Sequence, residues 1–590
     1  MENKNLSAMR HTAEHLLHQA VKELFPQIQL AMGPATEDGF YFDFDNNPEG
    51  KGTIKISESD FKKIEERMRQ LKNLDLPLTR MEISLKEARE LFKDNPYKLE
   101  WIDGIDKKGE KVTIYWTGKP GEKNSMADLC KGPHVESTGK VGSFKLLSIA
   151  GAYWHGDEKN KMLTRIYGTC FPTKEELENY LKMLEEAKKR DHRKIGRELE
   201  LFTINNEVGP GITLWLPNGS IIRREIENYM INEQIKLGFK HVYSPHIGRK
   251  SLWEKSGHWD LYRQKMYSPM DVDGEEYLVK PMTCPMHIQS FIFNPKSYRD
   301  LPYRIAEIGS VYRYEQSGEL AGLLRVRAFT QDDAHIFCTL EQAVEEFVSV
   351  FNFINKLYKV FGFKDYRVRL GVRSKKEKYL GEDSLWKKAQ EKAIEALDKT
   401  GAKYTISEGD AAFYGPKADF MIKDALGREW QCGTVQIDFM LPERFNLKYV
   451  DTDGLEKTPV MIHRAPLGSL ERFLAILIEQ YAGIFPLWLS PVQVVVLPIS
   501  EKFLKEADKV KKELEKNNIR VKLNNENKSL GGKIRESTLQ KIPFMIIIGE
   551  KEIEKGELFV TVRTREGKDL GMLEVNKFIN QLKSQIENFS

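Results

Sequence analysis

The sequence has few cysteines, no long apolar run and little net charge. Its five cysteines are scattered and odd in number, so a disulfide framework is excluded and a reducing compartment such as the cytoplasm is favoured. No apolar run approaches the roughly 18–20 residues that cross a bilayer, and the N-terminal residues lack the apolar core of a secretory signal. We therefore expect a cytoplasmic protein without a membrane span.

Charge and length bound the architecture but leave the function open. The net charge of +4 neither requires nor excludes a nucleic-acid partner, because a local basic surface can exist on a nearly neutral chain. A chain of 590 residues is too long for a single core, so several domains are expected.

Two changes of pattern divide the chain. Thr173 and Glu176 form a capping box that predicts a charged helix over residues 173–192, and such a helix is typical of a link between domains. Beyond the segment FPLWLSP, apolar strands alternate with amphipathic helices and predict a small α/β domain around a mostly parallel sheet. The predicted divisions are residues 1–172, 173–192, 193–490 and 491–590.

A β-hairpin with a long loop is predicted in the middle of the chain, from RIAEIGSVYRYE and RVRAFTQDDAHIF. Arginine forks suit phosphate oxygens, and an aromatic ring flanked by arginine suits a purine. The alternative is a solvated outer face. Since side chains alternate along a strand, one face is expected to carry Arg313 and Glu315 on the first strand and Arg325, Arg327, Phe329, Gln331, Asp333 and His335 on the second.

Three separated residues could form a metal site. Cys284 is expected at a turn between prolines, and His463 at a strand end shortly before an apolar helix that carries Arg472 in its first turn. A lone cysteine or histidine is more often a packed core residue than a ligand. Together with His335, however, these residues would provide three ligands and leave the fourth position open, as catalytic zinc requires.

A second group of histidines lies near the N-terminus. His11 and His15 fall on one face of a predicted helix, with Glu14 between them, and match the zinc-peptidase pattern H-x-x-E-H. Cys130 and His134 form a second pair with the same spacing. The residues alone leave two interpretations open, a free-standing metallohydrolase and a structural zinc site with one cysteine and three histidines.

Ordered motifs over essentially the whole chain resemble a known family. The segment from Gly238 to Pro245, RYE in the hairpin and GSLERF before a helix resemble motifs 1, 2 and 3 of class II aminoacyl-tRNA synthetases. Within that class, MTCPMH, TQDDAHIF, WQCGTVQIDF and IHRAPLGSLERF are similar to the threonyl-tRNA synthetase family. The resemblance implies an α+β multidomain fold: an α+β editing domain at 1–172, a linker helix at 173–192, a catalytic domain with an antiparallel sheet at 193–490 and an α/β anticodon-binding domain at 491–590.

The resemblance also implies an activity. Such a chain activates L-threonine with ATP to threonyl-adenylate and transfers it to tRNA(Thr), as a homodimer with zinc in the catalytic site and magnesium accompanying ATP. Zinc can receive the amine and β-hydroxyl of threonine, which excludes valine but not serine, so a hydrolytic editing site for Ser-tRNA is expected. The competing hypothesis is a synthetase-like RNA-binding or regulatory protein without aminoacylation.

The residues that the resemblance assigns fall into five groups. For ATP they are Arg313 at the α-phosphate, Glu315 at the adenine amino group, and Phe329 and Arg472 on either side of the adenine ring; for zinc, Cys284, His335 and His463; near the amino acid, Gln331, Asp333, Tyr414, Lys417 and Gln431; for editing, His11, His15, Lys98, Asp128, Cys130 and His134; and for the anticodon, Arg535, Glu552 and Arg563, with Lys533 at phosphates.

Two departures from the family are visible. Phe42 stands where many members carry tyrosine, which removes one polar contact. Many members also have an extra small domain before the editing unit, whereas the His11 helix of this sequence starts almost at its first residue. We expect synthesis and editing to survive both departures, because no assigned site residue is lost.

Overall fold

A computed structural model describes residues 2–47, 54–157, 159–374, 379–424, 427–555 and 558–589. The chain divides into two compact units, Met1–Glu185 and Glu186–Ser590. In the part of the chain that the structure describes, no helix is both long enough and apolar enough to cross a membrane.

The first unit contains a four-stranded antiparallel sheet and a separate three-stranded antiparallel sheet. Its helices are α1 (Glu2–Leu24), α2 (Phe61–Asn73), α3 (Leu85–Leu91), α4 (Pro96–Lys107) and the start of α5 (Lys174–Arg190). Its strands are β1 (Gln29–Met32), β2 (Phe40–Asp45), β3 (Leu78–Ile83), β4 (Val112–Thr117), β5 (Met126–Leu129), β6 (Ser143–Tyr153) and β7 (Met162–Phe171). The apolar side of α1, including Leu16 and Leu17, packs in one core with Phe42 and Phe44 of the larger sheet.

The second unit is built on an eight-stranded sheet with the order β10-β14-β15-β22-β19-β18-β16-β17. Only the edge pairs β10–β14 and β16–β17 are parallel. The strands are β8 (Phe202–Thr203), β9 (Leu214–Trp215), β10 (Lys240–His241), β11 (Ile247–Arg249), β12 (Met270–Val272), β13 (Glu275–Val279), β14 (Tyr303–Tyr312), β15 (Ala328–Cys338), β16 (Tyr366–Val372), β17 (Tyr404–Glu408), β18 (Lys417–Lys423), β19 (Glu429–Asp438), β20 (Tyr449–Val450), β21 (Glu456–Lys457) and β22 (Val460–Ala465). The helices are α6 (His192–Glu198), α7 (Pro217–Lys236), α8 (Lys250–Lys255), α9 (His258–Tyr262), α10 (Cys284–Ile292), α11 (Ala343–Val360), α12 (Asp383–Thr400), α13 (Met440–Arg444) and α14 (Leu470–Tyr481).

A five-stranded sheet forms the C-terminal part of the same unit, with the order β24-β23-β25-β26-β27. Its strands are β23 (Val494–Pro498), β24 (Val521–Leu523), β25 (Phe544–Ile548), β26 (Phe559–Thr564) and β27 (Asp569–Glu574), and its helices are α15 (Leu504–Lys516), α16 (Leu530–Leu539), α17 (Glu550–Lys555) and α18 (Val575–Glu587). The prediction of alternating strands and helices is confirmed, but the prediction of a mostly parallel sheet is wrong. Strands β23, β24 and β25 are parallel, whereas β26 and β27 form an antiparallel hairpin that no crossover helix separates.

The predicted linker helix is present but shorter. The reciprocal bonds of the capping box join Thr173 and Glu176 at the start of α5. The helix ends at Arg190, because Asp191 adopts a non-helical conformation and its side chain accepts a hydrogen bond from the Arg193 amide, which caps α6. The helix thus ends two residues before the predicted bound, and a separate helix, α6, begins at His192.

Candidate functional site

Strand pairing brings the predicted zinc ligands together. His335 on β15 and His463 on β22 are direct partners across an antiparallel pair, and Cys284 is the first residue of α10. The ligand atoms of all three residues lie within 4.8 Å of one another, and all three side chains are buried. The turn expected at Cys284 is thus the start of a helix, and His463 lies inside a strand rather than at its end.

Neighbouring side chains fix the orientation of both histidines. His463 Nε2 lies 2.8 Å from Asp438 Oδ2, so this nitrogen carries the donated hydrogen. His287 Nε2 donates to Glu307 at 3.2 Å, and its Nδ1 lies 2.7 Å from Nδ1 of His335. Metal-binding histidines are held in this way through the ring nitrogen that does not face the metal.

The resulting proton positions fit a bound cation. Because His287 Nε2 donates its hydrogen, His287 Nδ1 accepts a hydrogen bond from His335 Nδ1. His335 therefore keeps a lone pair on Nε2, and His463 keeps one on Nδ1. These two nitrogens lie 3.0 Å apart, so their lone pairs repel unless a positive charge lies between them. Burial also raises the pKa of the Cys284 thiol well above its usual range, and a bound cation would stabilise the thiolate. One sulfur and two imidazole ligands suit zinc with an open position.

Glu307 supports this arrangement as a charged acceptor. Burial alone would raise its pKa, but hydrogen bonds from His287, Lys280 and Ser244 outweigh burial and lower the pKa to about 2. The carboxylate therefore keeps its charge and continues to orient His287 at neutral pH.

A cavity of about 450 Å³ adjoins the triad. All five residues predicted near the amino acid line it: Gln331, Asp333, Tyr414, Lys417 and Gln431. The Tyr414 ring stacks on His463 at 4.6 Å, and its hydroxyl donates to Gln436 at 2.5 Å. Asp333 accepts a hydrogen bond from Thr283. The cavity thus places hydrogen-bonding side chains around one face of the candidate metal site.

A buried carboxylate fixes two of the residues that line this cavity. Asp419 on β18 is fully buried and lies 3.1 Å from Lys417 Nζ. Its other oxygen accepts from Gln431 Nε2 at 2.8 Å. Asp419 therefore holds two predicted site residues in fixed positions.

A second cleft of about 160 Å³ contains the residues predicted for ATP. Arg313, Glu315, Phe329 and Arg472 line it, and it shares Arg313, Gln331, Gln431 and Thr434 with the larger cavity. The Arg313 guanidinium lies 5.0 Å from the centre of the Phe329 ring. The two spaces therefore meet at an arginine that can contact groups in either of them.

The start of α14 positions Arg472 in this cleft. Ser469 caps the helix by accepting a hydrogen bond from the Arg472 amide. The Arg472 guanidinium donates to the carbonyls of Leu324 and Gln431, both at 2.9 Å. Gly468 precedes the cap with a φ of +71°, and a Cβ atom there would lie 2.3 Å from the carbonyl oxygen of Cys432. The turn into α14 thus requires glycine.

The predicted hairpin is confirmed, but its polar face is shorter than expected. Strands β14 and β15 pair over ten residues from Tyr303↔Phe337 to Tyr312↔Ala328. Arg313 and Glu315 follow the end of β14, while Arg325 and Arg327 precede β15. Arg327 is buried and donates to the Glu315 carbonyl at 2.9 Å, so it supports the loop and does not face the cleft.

The six residues predicted for editing also meet. His11 and His15 lie on α1, and Cys130 and His134 follow β5; their ligand atoms lie within 4.8 Å of one another. Lys98 on α4 and Asp128 on β5 form a buried ion pair of 2.6 Å. A cavity of about 290 Å³, lined by Lys98 and Cys130, adjoins the cluster. Phe42, the departure from the family, is buried with its ring centre 5.5 Å from Lys98 Nζ.

The residues predicted for the anticodon have different environments. Arg535 on α16 is exposed, and Arg563 on β26 is half-buried. The two carboxylate oxygens of Glu552 accept from the Gly549 amide at 2.8 Å and from the Thr561 hydroxyl at 2.6 Å. The prediction that Lys533 holds phosphates is wrong, because its Nζ is buried and donates to the carbonyls of Pro498 and Asn524.

Four residues that orient the site were not predicted: His287, Glu307, Asp419 and Asp438. His287 and Asp438 occur in MTCPMH and WQCGTVQIDF, two of the segments that carry the family resemblance. Their place in these segments could have marked both residues as candidates. The partner of a single aspartate or histidine, however, becomes visible only when the pairing of the strands is known. Glu307 and Asp419 had no such signal.

Comparison with known proteins identifies the three parts of the chain. Residues 264–481 match the family described as "tRNA synthetase class II core domain (G, H, P, S and T)". Residues 493–585 match "Anticodon binding domain", and residues 112–167 match "Threonyl and Alanyl tRNA synthetase second additional domain". The predicted multidomain fold is confirmed.

Full-length relatives are more specific. The threonine–tRNA ligase of Thermotoga neapolitana is 49% identical over 581 residues, which cover 98% of this chain and 88% of the relative. That of Dehalococcoides mccartyi is 49% identical over 563 residues, with 95% and 94% covered. The solved RNA binding domain of threonyl-tRNA synthetase from Cryptosporidium parvum Iowa II matches with a TM-score of 0.64 and 41% identity, covering 67% of this chain and 98% of that one. The chain therefore belongs to the threonine–tRNA ligase family of class II aminoacyl-tRNA synthetases.

Proposed function

We propose that this chain activates L-threonine with ATP and transfers it to tRNA(Thr), using the two adjoining cavities of its second unit. The supporting observation is that the cleft lined by Arg313, Phe329 and Arg472 meets the cavity beside Cys284, His335 and His463. A nucleotide and an amino acid bound in these spaces would have their reacting groups near the residues that line both, which include Arg313 and Gln331.

The first step joins threonine to AMP. The threonine carboxylate attacks the α-phosphorus of ATP, and pyrophosphate leaves. Arg313 neutralises charge on the α-phosphate, and Glu315 accepts a hydrogen bond from the adenine amino group. Phe329 and Arg472 hold the adenine ring between an aromatic face and a guanidinium plane. In the second step, a terminal ribose hydroxyl of the tRNA attacks the threonyl carbonyl and AMP leaves.

Amino-acid selection depends on the buried triad. Cys284, His335 and His463 would hold a zinc ion that supplies a Lewis acid for both the amine and the β-hydroxyl of threonine, and valine lacks the hydroxyl. The side chains of Gln331, Asp333 and Tyr414 surround the same space and orient the bound amino acid, while Lys417 and Gln431 are held in place by Asp419.

Amino-acid-dependent ATP–pyrophosphate exchange tests this function. We expect exchange with threonine, exchange with serine reduced about 10–200-fold because one methyl group is missing, and exchange with valine reduced roughly 10⁴-fold because it lacks the hydroxyl. The matched variants are Arg313→Ala, which should abolish exchange, and Arg299→Ala at an exposed arginine, which should not change it.

The possible outcomes separate the hypotheses. Exchange with none of the three amino acids would refute the ligase and favour a synthetase-like RNA-binding protein. Efficient exchange with valine would leave the ligase intact but refute selection through the triad.

We also propose that the N-terminal cluster edits Ser-tRNA(Thr). The cavity beside Lys98 and Cys130 is lined by apolar side chains such as Trp101 and Ile105 and also by the charged side chains of Lys108, Glu110 and Lys131. Water positioned by this cluster would attack the seryl ester, with the buried pair of Lys98 and Asp128 nearby to handle protons. Serine fits where the additional methyl group of threonine would clash.

The remaining proposals concern partners and boundaries. Arg535 and Arg563 would contact base edges of the anticodon, and Glu552 would use the lone pairs that Gly549 and Thr561 leave available. A homodimer through the motif 1 region would cover Tyr243, which is 94% exposed. We further propose the divisions 1–172, 173–192, 193–490 and 491–590, and a cytoplasmic location, where the five free thiols would remain reduced.

A further inference from the structure

His192, the first residue of α6, bridges two parts of the second unit that are far apart in sequence. Its side chain is buried. Nδ1 of the ring lies 2.7 Å from a carboxylate oxygen of Glu479, in the last turn of α14. Nε2 lies 3.1 Å from the backbone nitrogen of Leu323, in the loop of residues 313–327 that joins β14 to β15. The imidazole therefore connects the end of α14 to the hairpin loop.

These two contacts fix the position of the hydrogen on the ring. The Glu479 carboxylate only accepts, so Nδ1 carries the hydrogen, and the Leu323 amide only donates, so Nε2 keeps its lone pair. His192 lies with Asp191 and Glu479 in a group of residues that could bind a metal. Because both ring nitrogens are already used, the group is better explained as a hydrogen-bonded connection than as a metal site.

The hairpin loop is shaped to approach this ring closely. The Ala321 carbonyl accepts from the Leu324 amide at 2.9 Å, which closes a turn around Gly322 and Leu323. Gly322 has a φ of +53°, and a Cβ atom there would lie 2.3 Å from His192 Nε2. Only glycine therefore allows the loop backbone to lie against the imidazole. The side chains of Leu323 and Leu324 are both buried in the core of the unit.

The same loop also holds an arginine of the nucleotide cleft. The carbonyl of Leu324, the residue after Leu323, accepts from Arg472 Nε at 2.9 Å. Leu324 and Arg472 both line the cleft proposed for ATP. Helix α14 thus contacts the loop from both of its ends, through Arg472 in its first turn and through Glu479 and His192 at its last. The position of the Leu324 carbonyl consequently depends on both contacts.

We infer that His192 is a positioning residue for the ATP cleft. It fixes the loop so that the Leu324 carbonyl holds the Arg472 guanidinium where the adenine ring is proposed to bind. This inference rests on the proposed function, because that function assigns ATP to the cleft. In the part of the chain that the structure describes, His192 lines neither the ATP cleft nor the cavity proposed for threonine, so it acts only through the loop.

His192→Phe tests this role, since phenylalanine keeps a ring but neither hydrogen bond. The Kd for ATP, measured by calorimetry without amino acid, and the KM for ATP in exchange should both rise about tenfold, because a buried amide loses its acceptor and the loop shifts. The KM for threonine should change less than about twofold, because His192 contacts no residue of that cavity directly.

Gln493→Leu is the matched control. Gln493 is also buried, donates to the Leu487 carbonyl at 3.0 Å and accepts from the Arg520 amide at 2.9 Å. Its removal also costs one donated and one accepted hydrogen bond, but away from the hairpin loop. This variant should lower the midpoint of thermal unfolding as His192→Phe does, without changing the Kd or the KM for ATP.

Glu479 variants test whether the hydrogen on Nδ1 matters. Glu479→Gln keeps an oxygen that accepts from His192, so the ATP constants should stay within about twofold of the unaltered chain. In Glu479→Leu the hydrogen can move to Nε2, where it opposes the Leu323 amide, and the ATP constants should rise as in His192→Phe. The double variant His192→Phe/Glu479→Leu should be no worse than either single variant, because one connection is lost only once.

Deuterium exchange of a peptide that covers the hairpin loop gives a readout without any ligand. Uptake should be faster in His192→Phe and in Glu479→Leu, because the Leu323 amide is no longer held. It should be unchanged in Glu479→Gln and in Gln493→Leu.

Two results would overturn the role of His192. One is an equal rise of the KM for ATP in His192→Phe and Gln493→Leu, which would indicate general destabilisation. The other is unchanged uptake of the loop peptide in His192→Phe. Since ATP binding and deuterium uptake require neither threonine nor tRNA, absence of exchange in the unaltered chain would refute the proposed ligase without deciding the role of His192, which these two measurements decide separately.

Discussion

At the scale of single residues, the proposed zinc site depends on side chains that bind no metal themselves. Asp438 holds Nε2 of His463, and its other oxygen accepts from the amides of Met440 and Leu441 at the start of α13. The aspartate is therefore held by the backbone at the start of α13, and it in turn fixes the direction of the lone pair on His463 Nδ1.

Asp438→Asn should weaken zinc binding at the triad about 10–100-fold, because an asparagine whose carbonyl oxygen caps α13 turns its NH2 group, a donor, toward the imidazole N–H. Asparagine can still cap α13 through its carbonyl oxygen, so folding should be retained. Zinc affinity is measured by competition with a chromophoric chelator, with Asp453→Asn at an exposed aspartate as the control. Equal affinities for the two variants would contradict the orienting role of Asp438.

Single residues also show what sequence can and cannot reveal. Cys284, His335 and His463 could be predicted, because each lies in a segment that carries the family resemblance. The hydrogen bond from His463 to Asp438 could not, because it arises from the register of β19 against β22. Lys533 was misinterpreted for a similar reason: nothing in the local sequence shows that its long side chain is covered by neighbouring strands.

At the scale of elements, α14 connects helix stability to nucleotide binding. Ser469 caps the helix immediately before the turn that carries Arg472, and Ser529 caps α16 in the same way by accepting from the Gly532 amide. The two serines make equivalent local interactions at different places.

Ser469→Ala should lower the free energy of unfolding by about 1 kcal/mol. It should also raise the KM for ATP about fivefold, because the first turn of α14 then holds Arg472 less firmly. Ser529→Ala should lower the free energy of unfolding by a similar amount without changing the KM for ATP. Exchange kinetics at varied ATP, together with thermal unfolding, separate the two effects. A higher KM in both variants would mean that the change reflects general destabilisation.

Elements with strong local signals were predicted best. The hairpin β14–β15 and helix α14 follow from alternation and capping within one segment. The start of β15 at Ala328 could not be predicted in this way. It depends on Arg327, whose amide donates to the carbonyl of Gly211, a residue far away in the sequence. The antiparallel hairpin β26–β27 was missed because β27, with the sequence DLGMLE, is mostly exposed and has no apolar run to mark it as a strand.

At the scale of the whole molecule, the proposed activities fall in different compact units. Every residue assigned to ATP, zinc or threonine lies within Glu186–Ser590, and every residue assigned to editing lies within Met1–Glu185. The order of these units could be predicted because each is continuous in sequence. The proposed activities should therefore be separable by point substitutions in the full-length chain.

His11→Ala should leave threonine-dependent exchange within about twofold of the unaltered chain, because no exchange residue lies in its unit. The same variant should accumulate Ser-tRNA, since one of the four cluster side chains is lost. Arg313→Ala should show the reverse: exchange is lost, while hydrolysis of preformed Ser-tRNA continues at its normal rate. His155→Ala, an exposed histidine of the first unit, should affect neither assay. If His11→Ala reduced exchange as strongly as hydrolysis, the two units would be coupled and the separate assignment of their sites would have to be abandoned.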